Sequence, residues 1–127
     1  MHKILVIDDD VDLTKVLHKI LRSHGFEVIV ANDSVQGIQY AHEEQPDLIL
    51  LDLKLPGGGG LMTLRRIKMS SHTNWMSVIV MTCVNDIELR EAVYKEGVDG
   101  YIKKPYETHE LITKIKTILG KDTGEDS

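Results

Sequence analysis

The stretch DLILLDLKLPGGGG, residues 47–60, decides how this chain is read. Leu48 to Leu51 are apolar without alternation, the pattern of a strand buried on both faces, and such strands belong to parallel sheets covered by helices on both sides. Asp52 then puts a carboxylate at the C-terminal end of the strand, where open α/β sheets bind and transform ligands. Three other strands also end in chemical groups: Asp8 and Asp9 follow the first, Thr82 closes the fourth and Lys104 follows the fifth. Four strand ends therefore point at one site.

Apolar runs alternate with amphipathic stretches along the whole chain, the signature of a parallel sheet with crossover helices. The predicted strands are residues 3–8, 26–30, 47–51, 77–82 and 100–103. Leu13, Val16, Leu17, Ile20 and Leu21 recur at the spacing of one buried helical face, with Gly25 placed to end the helix. Leu111, Ile112, Ile115, Ile118 and Leu119 repeat the pattern in the last helix. Residues 34–44, 61–70 and 86–95 fill the remaining crossovers, the last with Asn85 and Glu88 at capping-box spacing. The pattern predicts an α/β fold, a doubly wound (βα)5 unit with a five-stranded parallel sheet in the order 2-1-3-4-5. Strands 1 and 3 are then neighbours, and Asp8, Asp9 and Asp52 converge between them.

With 127 residues the chain is one domain that buries roughly two thirds of its unfolded surface. Residues 1–120 are expected to form it, and the polar residues 121–127 to be a frayed tail or linker stub. The apolar runs are too short to span a bilayer, and Met1 and His2 lead directly into the first strand, which leaves no signal peptide and points to the cytoplasm. A single cysteine, Cys83, excludes an internal disulfide. The net charge of −5 argues against direct nucleic-acid binding, which needs a basic surface.

Three carboxylates within a few ångströms raise one another's pKa unless a cation sits among them, which predicts a divalent metal. Oxygen ligands that leave room for water and a phosphate oxygen suit Mg²⁺. Thr82 offers a hydroxyl and Lys104 an ammonium to phosphoryl oxygens. A nucleophilic aspartate, a metal and such donors together describe phosphoryl transfer to a carboxylate.

These residues resemble the receiver domains of two-component response regulators, the CheY-like family with a flavodoxin-like fold. The resemblance rests on Asp8-Asp9, the D-x-x-x-P-x-x-x-G string of Asp52, Pro56 and Gly60, Thr82, and Lys104-Pro105. It implies that Asp52 accepts a phosphoryl group from a sensor histidine kinase, a phosphotransfer protein or a small phosphodonor. It also implies that Mg²⁺ is held by Asp9, Asp52 and the Lys54 backbone carbonyl, with Asp8 acting through water. Lys104 would pair with the carboxylate and then the phosphoryl group, held by a cis bond to Pro105. Thr82 and Tyr101 would form the switch pair that reshapes the face of helix 4, strand 5 and helix 5. Such a chain is a phosphoacceptor that assists its own phosphorylation and dephosphorylation rather than an enzyme with a separate substrate. Its output partner stays open, as does the choice between a monomer and a homodimer formed on phosphorylation. Cys83 stands where the family usually has alanine, which narrows the entrance to Asp52. Lys54 contacting the phosphoryl group and apolar Val84 positioning no water predict slow self-dephosphorylation.

Two rival functions compete. Asp8 and Asp10 also resemble the D-x-D nucleophile motif of haloacid dehalogenase-type phosphatases, but the helix begins too soon after Asp10 to leave room for their shielding flap. A degenerate receiver that serves only as a protein-interaction module is disfavoured because every acceptor, metal and switch position holds a competent residue. Among the remaining residues, Asp10 and Asp12 read as a helix N-terminus, Gly57 to Gly60 as a loop without a phosphate-binding motif, and Cys83 as a small buried residue. The six histidines show no metal-ligand spacing.

Overall fold

The strands form because β-branched and leucine side chains run together between turn residues, and the helices because apolar residues recur every three to four positions. In the computed structural model, which describes residues 1–54, 59–83 and 87–123, the order is β1 (Lys3–Ile7), α1 (Val11–Ser23), β2 (Glu27–Ala31), α2 (Ser34–Glu44), β3 (Leu48–Asp52), α3 (Gly59–Met69), β4 (Ser77–Thr82), α4 (Ile87–Lys95), β5 (Gly100–Lys103) and α5 (Thr108–Thr123). All strand pairings are parallel. The sheet order is β2-β1-β3-β4-β5, so the doubly wound α/β expectation is met.

Successive strand residues point to opposite faces and feed two cores. Ile4, Val6, Leu48, Leu50, Ile79 and Met81 pack with Leu17 and Leu21 of α1 and Leu111 and Ile115 of α5. Leu5, Ile7, Ile49, Leu51, Val78 and Val80 pack with Ala41 of α2, Leu64 and Ile67 of α3 and Val93 of α4. Two helices therefore cover one face and three the other. This is why the central strands β1, β3 and β4 read as apolar without a break.

Local chemistry sets the element ends. Asp10 caps α1 by accepting the Leu13 N–H, and Asp33 caps α2 by accepting that of Gln36, as short acceptors at helix N-termini do. Gly25 leaves α1 at φ 89°, a left-handed turn that glycine adopts without strain. Strands β2 and β3 begin and end one residue later than predicted. Helix α3 begins at Gly59 rather than residue 61, and α5 runs through Gly120 to Thr123, since one interior glycine costs a helix only about 1 kcal/mol. Helix α4 begins at Ile87, while Asn85, half of the expected capping box, lies outside the described residues.

One member of the predicted α1 face is misplaced. Val16 is 53% exposed, because the buried contact of α1 narrows to Thr14, Leu17 and Leu21. Val16 instead joins Leu13, Leu17 and Ile20 along an open apolar groove that ends at Tyr106 and Leu111. No described helix is long and apolar enough to cross a membrane.

Candidate functional site

Register alone brings the acids together. Ile7 of β1 lies opposite Leu51 of β3, so the next residues, Asp8 and Asp52, fall side by side at the C-terminal edge. Met81 pairs with Asp52, and Thr82 with Lys103, which puts Thr82 and Lys104 at the same edge. Carboxylate oxygens of Asp8, Asp9 and Asp52 lie within 4.8 Å of one another. Asp8 and Asp52 are buried, while Asp9 is exposed.

Each acid is held differently. Asp8 accepts the Asp10 N–H on Oδ1 at 3.0 Å and Lys104 Nζ on Oδ2 at 2.9 Å. Asp52 accepts the Lys54 N–H on Oδ1 at 3.0 Å, and its Oδ2 lies 3.6 Å from Lys104 Nζ. The lysine thus grips Asp8 more closely than Asp52. Burial and the neighbouring charge of Asp8 hold the Asp52 carboxyl above the ordinary carboxylate range, against the lowering effects of the Lys54 N–H and of Lys104. Burial alone would lower the Lys104 pKa, but the hydrogen bond and charge of Asp8, with Asp52 behind it, hold it above its ordinary value. The site therefore has more negative charge than its one lysine offsets. It is built of oxygen donors, which fits a hard divalent cation.

The other expected residues distribute unevenly. Thr82 is fully buried at the end of β4. Tyr101 sits on β5 opposite Val80, half-buried against the α2–α3–α4 core. Tyr94 stacks on it at 5.9 Å, and the Arg90 guanidinium lies 5.0 Å from its ring centre. Lys54 is exposed, and the Lys104-Pro105 bond is cis. Gly60 is required by contact: a Cβ there would stand 2.3 Å from the Leu53 backbone, one residue past Asp52. Cys83 corrects an expectation. It is exposed rather than buried, because β4 ends at Thr82 and releases the next residue into the groove beside Lys104 and Tyr106. Pro56 and Val84 lie outside the described residues.

Two contributors carry no motif signal. Tyr106 packs against the α1–α5 core, and burial pushes its hydroxyl pKa up, with Lys104 pulling it down and Asp8 adding to the rise. Asn32, just after β2, donates from Nδ2 to the Asp8 carbonyl at 2.9 Å. A strand-end position was its one available cue.

The arrangement matches a known family over nearly its whole length. Residues 4–116 match the family model described as the response regulator receiver domain. The chain belongs to the response regulator receiver domain family. This receiver domain is 33% identical over 117 residues to the phosphate regulon transcriptional regulatory protein PhoB of Escherichia coli, covering 92% of this chain and 51% of PhoB. It is 34% identical over 123 residues to the DNA-binding response regulator MtrA of Mycobacterium leprae, covering 97% of this chain and 53% of MtrA. It spans about half the length of these curated relatives. Among solved structures, the CheY-like receiver domain protein of Methanospirillum hungatei superposes with a TM-score of 0.92 at 29% identity, covering 99% of both chains. A receiver domain from Clostridium thermocellum superposes at 0.88 and 30% identity, covering 97% of this chain and 98% of the other.

Proposed function

We propose that this receiver domain takes a phosphoryl group onto Asp52 from the phosphohistidine of a sensor histidine kinase or phosphotransfer protein, and that the modification is its signal. The observation that carries this reading is the gathering of Asp8, Asp9 and Asp52 within 4.8 Å, with Lys104 Nζ 2.9 Å from one buried carboxylate and 3.6 Å from the other. An Asp52 oxygen attacks phosphorus, the bond from phosphorus to the donor nitrogen breaks, and its electron pair leaves with the imidazole. Lys104 and the Thr82 hydroxyl are the donors for the phosphoryl oxygens. Asp9, Asp52 and the Lys54 carbonyl would hold Mg²⁺ directly, and Asp8 through water. When bound there, the ion would supply positive charge to offset that of the transferring group.

Both acids are buried, but Asp8 has both carboxylate oxygens hydrogen-bonded, whereas Asp52 has Oδ1 bonded to the Lys54 N–H and Oδ2 at the longer 3.6 Å from Lys104, which makes Asp52 the freer to attack and disfavours the phosphatase reading. The domain acts as a phosphoacceptor assisting its own modification, in the cytoplasm and without contacting nucleic acid itself. Charge added at Asp52 would move Thr82 and let Tyr101 turn inward, altering the α4–β5–α5 face seen by an output partner or a second copy. Cys83, Lys54 and Val84 would set the lifetime of the phosphate.

Acetyl phosphate with Mg²⁺ should add one phosphoryl group to the wild-type chain and none to Asp52→Asn, read by intact-protein mass spectrometry. A stable adduct on Asp8, or none at all, overturns the proposal. For the lifetime, Lys54→Ala and Val84→Glu should change the dephosphorylation rate. Equal rates would remove these residues from that role.

A further inference from the structure

Asp9 is the least restrained of the three acids. Its neighbours in the cluster are buried and hydrogen-bonded, whereas Asp9 is exposed, and its carboxylate takes no hydrogen bond among the described residues. What places it is the backbone that precedes it. The Asp8 N–H donates to the Ala31 carbonyl at 3.1 Å, and the Asp8 carbonyl, which belongs to the peptide joining Asp8 to Asp9, accepts Asn32 Nδ2 at 2.9 Å. Both polar groups of the Asp8 backbone are thus fastened to the end of β2.

The orientation of the Asn32 amide is decided by its partners. A carbonyl can only accept, so the group facing Asp8 must be the NH2. The same nitrogen lies 3.3 Å from Thr14 Oγ1, and that hydroxyl has already committed its proton to the Val11 carbonyl at 2.9 Å, so it too accepts. Thr14 is buried on α1. The Asn32 backbone is held in turn, its N–H donating to Gln36 Oε1 of α2 at 3.1 Å. One side chain therefore ties the Asp8–Asp9 peptide to β2 and α1, with its own backbone anchored to α2.

We propose that Asn32 is a positioning residue for the metal site: its amide holds the Asp8–Asp9 peptide where the Asp9 carboxylate completes the acidic cluster. The role rests on the reading of Asp9 and Asp52 as metal ligands. Groups that orient ligands from behind typically change metal affinity by about 10-fold or more when removed. Leucine matches the shape of asparagine without its donor, which makes Asn32→Leu the informative change.

The test is calorimetric titration of Mg²⁺ into wild type, Asn32→Leu and Thr14→Val, with thermal melts in EDTA and the Mg²⁺ dependence of modification by acetyl phosphate. Asn32→Leu should weaken Mg²⁺ binding roughly 10-fold and raise half-saturating Mg²⁺ by the same factor. The modification rate at saturating Mg²⁺ should stay at the wild-type plateau. Thr14→Val, which removes the second acceptor of the amide, should shift affinity the same way by a smaller factor. Wild-type Mg²⁺ affinity in Asn32→Leu overturns the inference, as does a lowered plateau with unchanged affinity. Should Asn32→Leu melt out in EDTA, unchanged affinity in Thr14→Val overturns it instead. A wild-type chain that binds no Mg²⁺ would remove the metal assignment itself, a failure distinct from equal binding by wild type and variant.

Discussion

Lys104 joins a half-buried ammonium to Asp8, whose side chain has no exposed surface, so removing one partner costs more than breaking an exposed ion pair would. Replacing it leaves a buried carboxylate with one partner fewer. Lys104→Met should cost about 3 kcal/mol in urea denaturation. The same substitution in an Asp8→Asn background should cost clearly less, since the cycle then lacks the pair. Asp52 acts in the opposite direction. Its folded-state pKa lies above the unfolded one, so the folded chain binds more protons across that interval, and stability falls as pH rises through it. Without metal, Asp52→Asn removes that decline and should be the more stable protein at pH 7, with a higher urea midpoint in EDTA. As pH falls through the interval between the two pKa values the gap should narrow, and below the unfolded-state value it should close. Lys104 contributes in the other window: its raised pKa gives stability present below the unfolded lysine value and lost as pH rises through the folded one.

Among the elements, the start of α3 is the most tightly constrained. Gly60 lies against the Leu53 backbone, so the helix presses on the turn that follows Asp52. Gly60→Ala meets main-chain atoms, which cannot swing aside as a flexible side chain could. It should cost about 3 kcal/mol in thermal or urea unfolding and displace Asp52. Gly37 on α2 differs, because a Cβ there meets the Ile7 side chain at 2.7 Å, and side chains can yield. Gly37→Ala should therefore cost less than Gly60→Ala, as their unfolding midpoints will show. Helix α1 shows where periodicity falls short. Five apolar positions share one face, yet only Leu17 and Leu21 of them are fully covered, and Val16 borders the open groove. Spacing says which residues share a face, but how wide a face is covered depends on the neighbours.

For the whole molecule, a ligand bound only by the folded state stabilises it by mass action. Mg²⁺ should raise the melting temperature of wild type, EDTA should reverse the rise, and Asp9→Asn should abolish most of it, as differential scanning fluorimetry will report. The alternation of strands and helices was legible along the chain because parallel strands need long crossovers and both-sided burial leaves unbroken apolar runs such as 4–7 and 48–51. With the sheet order inferred, the residues Asp8, Asp9, Asp52, Thr82 and Lys104 could be assigned to one edge, since each ends or closely follows a strand of the same parallel sheet. Their partners were not legible. That Lys104 grips Asp8 more closely than Asp52, that Cys83 is exposed, and that Asn32 holds the Asp8 carbonyl came only with packing. Element order follows from local pattern, which each segment carries in its own residues. A hydrogen bond between residues 8 and 104 depends on distances set by five strands and their helices at once, and no segment holds that information alone.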